Sequence, residues 1–319
     1  MTKSYENSSA RSAVYDLVRL KHHLALFAFV SLFLLAGFAS AQTGLSFLKV
    51  GVGGRATGMG EAYTAVANDA TAAYWNPAGL LQLGEKQIYL VHNEWFKDFR
   101  SEFVALALPA ENYVLGLSLN STNIGDIEIR GTQPSVEPIG TFTSHDLALG
   151  ISYARSLTQR LDLGVGLKYI YQKIFIHESG GVAADLGFRY HTETIPLEFA
   201  LTLQNFGSMS KLREESPRLP RLIRIGFAYS PALSLSEGSW IFAGDWVSDS
   251  EGNSHLHLGS EFQLRSFLAI RLGYQTGYEL KNIHFGFGVQ SGRLLWDYGF
   301  VPLQQDFGQG HRFSLGVNF

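Results

Sequence analysis

The last nine residues, His311-Arg312-Phe313-Ser314-Leu315-Gly316-Val317-Asn318-Phe319, decide the fold. Successive side chains of a strand point to opposite sides, so His311, Phe313, Leu315, Val317 and Phe319 share one face. Arg312, Ser314, Gly316 and Asn318 share the other. Large apolar groups on one side and small or polar groups on the other describe a strand with lipid outside and a lumen inside. The pattern repeats upstream. Ile283, Phe285, Phe287 and Val289 oppose His284, Gly286, Gly288 and Gln290, and Leu268, Ile270, Leu272 and Tyr274 oppose Ala269, Arg271, Gly273 and Gln275. Leu197, Phe199, Leu201 and Leu203 alternate with Glu198, Ala200, Thr202 and Gln204.

A soluble sandwich alternates as well, and two features select a barrel. Aromatic residues such as Tyr153, Tyr190, Tyr229, Trp240, Tyr274 and Trp296 tip the apolar face, as interfacial girdles require. Connection lengths also alternate. Strands near 86–92, 101–108, 113–121, 143–155, 161–175, 181–191, 196–205, 220–230, 239–248, 254–265, 267–275, 282–290, 293–301 and 310–319 number fourteen, an even count. With the first strand leaving the inner side, the inner connections 109–112, 156–160, 192–195, 266 and 291–292 are short. The outer connections 122–142 and 206–219 are long, and 231–238 is the one inner connection longer than its side predicts. The expected fold is all-β: a transmembrane antiparallel β-barrel of about fourteen strands over residues 85–319.

Composition agrees. A hydrophobic fraction of 46% with a net charge of −3 excludes disorder, and the absence of Cys excludes a disulfide framework. No long basic run supplies the phosphate contacts of a nucleic-acid partner, so none is expected. Charged residues make up 17%, below the roughly 25% of soluble domains, as suits an exterior that meets lipid.

Lys21-His22-His23 precedes an apolar run from Leu24 to Phe38 and then Ala39-Ser40-Ala41, a small-x-small site. This order predicts a cleavable signal peptide over 1–41 and localisation in a bacterial cell outer membrane. The apolar run is shorter than the ~20 residues a spanning helix needs.

Residues 42–84 do not read as a strand. A glycine-rich turn, Gly51-Val52-Gly53-Gly54, leads into an Ala-rich stretch and then Asn76-Pro77-Ala78-Gly79, which favours short helices ended by a turn. Gly51-x-Gly53-x-x-Ala56 imitates a dinucleotide fingerprint but lacks the strand and βαβ surroundings that give it meaning. A fourteen-stranded barrel encloses more space than eight strands, whose side chains just fill theirs. The inward positions are often Gly, among them Gly164, Gly187, Gly259, Gly273 and Gly286. Residues 42–84 are therefore expected to be a hatch inside the lumen.

Arg55-Ala56-Thr57-Gly58-Met59-Gly60-Glu61-Ala62-Tyr63-Thr64-Ala65-Val66-Ala67-Asn68-Asp69-Ala70, followed by Tyr74-Trp75-Asn76-Pro77-Ala78-Gly79-Leu80, resembles the N-terminal signature of the PorV/PorQ family of outer-membrane proteins. That family is FadL-like, related to long-chain fatty-acid transporters. The resemblance implies a fourteen-stranded barrel with the hatch motif Asn76, Pro77, Ala78 and Gly79. It further implies association with type IX protein secretion, with exported cargo proteins or secretion components as partners. External loops shorter than those of PorV weaken the cargo role.

The alternative reading is a FadL-like transporter of hydrophobic small molecules, with Phe47, Leu48, Met59, Tyr63 and Trp75 as the candidate apolar pocket. An enzyme is not expected, since the histidines form no recognisable pattern with a nucleophile. His255 and His257 lie on one strand face with Glu261 further along; two His at this spacing can chelate a metal, but such pairs are more often solvated lumen residues, and that is the reading adopted. No catalytic residue, metal or cofactor is assigned. The inward charges Lys168, Asp185, Arg189, Arg224, Glu261, Arg271, Asp297 and Arg312 need partners away from bulk water and are expected to hold the hatch. The outer-membrane lipid is the remaining expected partner.

Overall fold

The computed structural model describes residues 44–95, 99–132, 136–232, 238–305 and 308–319. The expected signal peptide, 1–41, lies outside the described residues.

Fourteen strands follow in order: β1 (Gln87–Glu94), β2 (Phe99–Pro109), β3 (Val114–Ile129), β4 (Gly140–Ser156), β5 (Leu161–Ile174), β6 (His177–His191) and β7 (Leu197–Met209). Then come β8 (Leu222–Tyr229), β9 (Gly238–Asp249), β10 (Ser254–Leu264), β11 (Leu268–Gln275), β12 (Ile283–Ser291), β13 (Leu294–Pro302) and β14 (Gln309–Asn318). Each pairs antiparallel with its neighbours in sequence, and β1 closes on β14 from Gln87 opposite Asn318 to Glu94 opposite His311. Closure leaves no unpaired sheet edge, which a structure in hydrocarbon requires. The inner rim is the end where β1 begins and β14 ends.

The alternation settles which side is which. Phe313, Trp296, Phe285 and Leu149 are about half exposed on the outside, whereas Arg312, Asp297, His284 and Ala148 are buried within. All eight inward charges expected from the sequence face the lumen, seven of them buried and Lys168 half-buried.

Two connections differ from expectation. The span 122–142 is mostly strand: β3 runs to Ile129 and β4 starts at Gly140, leaving 130–139 between them. Likewise β7 reaches Met209 inside the expected connection 206–219. These strand ends rise above the lipid band, where the outer face has no reason to be apolar, so period two fades although pairing continues. β3 is bent there by a register shift between Ile124 and Ile127, with Asp126 at φ 50°. A second shift, between Ala184 and Leu186, puts Asn205 of β7 at φ 63°, and its N–H donates to Asp185 at 2.8 Å.

Residues 44–86 run through the lumen. The path starts near the outer rim, where Gly44 N–H donates to Arg218 O at 3.1 Å in the connection after β7. It continues through a 3₁₀ turn (Ser46–Lys49), short helices at Gly54–Gly58 and Ala72–Trp75, and a second 3₁₀ turn at Pro77–Gln82. It leaves at the inner rim to begin β1. Such short helices cannot stand alone in water; tertiary contact with the wall holds them.

Candidate functional site

The site is the interface between the hatch and the lumen wall. Its first element is close approach. A Cβ on Gly273 would overlap Gly60 N, one on Gly259 would overlap Met59 O, and one on Gly164 would overlap Ala78 N. The wall is Gly at these places because the hatch backbone occupies the side-chain space.

Its second element is a set of buried ion pairs. The chain turns back at Gly60 (φ 61°) and Glu61 (φ 60°). A left-handed Glu is unfavourable by roughly 1–3 kcal/mol and persists only where surroundings impose it. Here the turn backbone is held by Glu61 N–H donating to Ala56 O at 2.8 Å and Gln275 Nε2 donating to Gly60 O at 2.8 Å, and the side chain by Arg312 of β14: Arg312 Nη1 donates to Glu61 Oε1 at 3.0 Å and to Thr57 Oγ1 at 2.5 Å, while its Nε donates to Asn93 at 3.1 Å. Lys281 Nζ, from the connection between β11 and β12, lies 3.8 Å from Glu61 Oε2. Burial alone would push the Glu61 pKa up, but the Lys281 and Arg312 charges outweigh it and hold the carboxyl well below its ordinary range. Burial pushes Lys281 itself down, against the opposing pull of Glu61.

A second ionic chain lies toward the inner rim. Arg55 of the hatch donates through Nε and Nη2 to the two Glu261 oxygens, both at 2.8 Å, and through Nη1 to Asn68 at 2.5 Å. Arg271 Nε donates to Glu261 at 2.5 Å, and its Nη1 lies 2.7 Å from Asp297. Tyr89 O–H donates to the other Asp297 oxygen at 2.6 Å. Bidentate guanidinium–carboxylate contacts of this kind fix orientation as well as charge.

The third element is neutral. The Asn76 side-chain oxygen caps the Pro77–Gln82 turn by accepting from Ala78 N–H at 3.1 Å. Its amide donates to Thr64 O at 3.0 Å and to Phe188 O of β6 at 3.2 Å. Pro77 begins the turn, where its missing N–H costs nothing. Gly79 approaches so close that a Cβ there would overlap Ala67 O, which explains the small residues of this motif. On the far wall, Asp245 Oδ2 accepts from Tyr63 N–H at 3.0 Å, Thr64 N–H at 2.9 Å and Thr64 Oγ1 at 2.6 Å.

The five candidate pocket residues fall into two clusters. Phe47 and Leu48 pack with Leu45, Ile170, Ala183, Met209 and Leu219 toward the outer rim. Met59, Tyr63 and Trp75, each fully buried, belong to the main core beneath. Trp75 Nε1 donates to Val52 O at 2.9 Å, and the Arg224 guanidinium sits 5.0 Å over its ring.

His255 and His257 do not converge with Glu261. His255 stacks on Tyr278 at 3.8 Å; His257 bridges Glu61 O and the Tyr278 hydroxyl at 3.3 and 3.2 Å; Glu261 is already held by two guanidiniums. Among the described residues no group of three or more His, Asp or Glu is placed to hold a metal. Ser156 Oγ donates to Asp162 at 2.7 Å and His191 Nε2 sits 2.7 Å from the other Asp162 oxygen. The carboxylate thus separates hydroxyl from imidazole, and the histidine is not the base on that serine. Sequence reasoning missed Glu61 and Thr57 as the hatch's own anchors, Asn93, Asp245 and Lys281 as their partners in the wall and its connections, and Tyr278, which reaches the hatch through His257. Inward position on a strand marks Asn93 and Asp245; nothing local marks Tyr278 or Lys281.

The geometry defines a class: a fourteen-stranded barrel with a hatch tied non-covalently into its lumen. Residues 38–168 match the uncharacterised protein family UPF0164, and no curated protein matches the chain. In fold the chain is similar to a Pseudomonas aeruginosa FadL homologue, with a TM-score of 0.56 at 10% identity over 85% of this chain and 98% of that one. It is also similar to the Pseudomonas putida toluene transporter TodX, with a TM-score of 0.57 at 10% identity over 82% of this chain and 95% of that one.

Proposed function

We propose that the protein is a passage for hydrophobic small molecules across the bacterial outer membrane, with the hatch as its moving part. The observation that carries this reading is a lumen closed by a non-covalently held hatch, in a barrel whose fold is that of a toluene transporter. In this reading movement of the hatch uncovers Phe47 and Leu48, which are buried in the outer apolar cluster, to a compound from the outer rim, with Met59, Tyr63 and Trp75 beyond them. The signal peptide over 1–41, the hatch over 42–84 and the barrel over 85–319 belong to the same reading. An N-terminus near Gln42 in the outer-membrane fraction is its expected sign.

The second reading, association with type IX secretion, is supported by the PorV/PorQ resemblance of residues 55–80. The strand ends weigh against it. Ile124, Ile127 and Ile129 stand in β3 rather than in a free loop, and Met209 is buried against the hatch. What remains outside the strands to supply the ~800 Å² per partner that a stable interface buries is chiefly 130–139 and 210–221, shorter than the connections the sequence predicts.

The test is to delete residues 51–80 and, separately, to shorten 130–139 and 210–221. Uptake of labelled toluene and of a labelled fatty acid is then followed beside surface display of exported proteins. Altered uptake with normal display in the deletion is expected. Loss of display with normal uptake in the loop variant would transfer the assignment to secretion.

A further inference from the structure

A cavity of about 310 Å³ opens at the inner rim, between the segment that leads the hatch into β1 and the lower ends of β10 to β14. It touches the main apolar cluster only through Tyr89 and Leu83 and lies apart from the Glu61 site. The geometry points to this cavity as a binding site for a small, neutral, polyhydroxylated molecule of the carbohydrate class.

The floor is the ionic chain Arg55–Glu261–Arg271–Asp297. Two guanidiniums and two carboxylates neutralise one another there; of the other carboxylates that line the cavity, Asp69 is taken up by the Tyr63 hydroxyl and by Thr71, and Glu85 stands exposed to water, so no cation in the lining is left to recruit an anion. Beneath Arg271 lies Gly288, where a Cβ would fall 2.7 Å from one guanidinium nitrogen, so the floor is flat because that side chain is absent. Gln263 and Gln290 stand beside this floor, half-buried, and neither side chain has a hydrogen-bond partner among the described residues. Gln82 lines the mouth, exposed, in the same condition.

A carboxamide offers two donors and an acceptor, and a hydroxyl offers a donor and two lone pairs. Several amides that make no hydrogen bond to the protein, gathered around one space, therefore match a ligand that presents many hydroxyls. The Phe267 ring, exposed in the turn after β10, supplies an apolar face of the kind that covers the C–H side of a sugar ring. The volume lies at the small end of ligand pockets, roughly 300–1,000 Å³, which suits a mono- or disaccharide. An alkyl chain would strip water from amides and guanidiniums without replacing it.

The same chemistry has two sources at this rim: a free sugar, or the glycan of the cell wall. The experiment uses the full mature protein in detergent and titrates maltose and N,N′-diacetylchitobiose by calorimetry. The protein is also incubated with purified cell-wall sacculi, and everything is repeated with the double variant Gln263→Leu, Gln290→Leu. These two residues touch neither the ionic chain nor the hatch by hydrogen bond, and heat-modifiable migration checks that the variant is folded. Binding of at least one sugar, weakened about tenfold or more in the variant through the lost hydrogen bonds, is the expected result. Chitobiose binding with retention on sacculi identifies the wall glycan, and maltose binding without retention identifies a free sugar. No binding of either sugar, undiminished binding by the folded variant, or displacement of the sugar by decanoate would each overturn the assignment. Failure of hydrocarbon uptake leaves it untouched, since the two sites share no ligand.

Discussion

The hatch is held on two sides of the lumen by different chemistry. Toward β10–β14 close backbone approach at Gly259 and Gly273 is joined by ionic contacts: Glu61 with Arg312 and Lys281, and Arg55 with Glu261. Toward β3–β6 the contacts are steric and neutral: Asn76 and Pro77 lie on Gly187, Ala78 on Gly164, and Leu80 against Gly116. The difference teaches that the two halves of the hatch respond to different insults. A buried ion pair fails when one partner is lost, because the other charge is stranded. A shape contact fails when volume is added.

The largest effect is expected on the ionic side. Arg312→Met should strand the Glu61 carboxylate, with only the more distant Lys281 beside it, and weaken hatch docking by roughly 3–5 kcal/mol. Bursts of conductance in planar bilayers and protease cleavage within 51–63 measure it; a silent, resistant variant would deny that this pair holds the hatch. On the other side, Gly164→Val should place a branched side chain where Ala78 sits, at a cost of roughly 1–3 kcal/mol. Cleavage should then appear within 76–82 while 51–63 stays protected, and equal exposure of both segments would merge the two attachments into one. Asn76→Ala should have a smaller effect, about 1 kcal/mol for a lost cap, on the same neutral half.

The least change is expected from mild acid. The Glu61 pKa is lowered in the folded protein, so its contribution is complete above the unfolded value of about 4.3 and is lost only as pH falls through the lower folded value. Conductance should thus stay flat from neutral pH down to about pH 5 and rise only well below pH 4, first through the ionic half. Opening between pH 5 and 7 would show that Glu61 is not the group that fastens that side.

The wall was legible in the sequence because one physical rule, apolar out and small or polar in, acts on every strand within the lipid band. Where that rule stops acting, as in β3 beyond Leu119 with Ser121 and Asn123 facing outward, hydrogen bonding continues and the sequence carries no sign of it. Inward charges such as Arg271, Asp297 and Arg312 could be placed on the lumen side from alternation alone. Their partners could not. Glu61 and Arg312 are 251 positions apart, and Glu61 sits in a left-handed turn that only the assembled lumen holds. The glycines were half legible: their facing was clear, but which hatch atom fills each one is a property of the assembled lumen.

The seam between β1 and β14 has a consequence for how the molecule is made. Gln87 and Asn318 are neighbours across it, so the first strand waits for nearly the whole chain before its outer partner arrives. Contacts this distant in sequence make assembly slow, because a long loop must close before the pairing is rewarded. The hatch precedes that first strand and runs through the ring from the outer rim to the inner one. It must be gathered into the curling sheet before the last strand zips shut, and once the seam is closed no chain end need thread the lumen. Order of events is therefore built into topology: the stopper is enclosed during manufacture, and β14 seals it in.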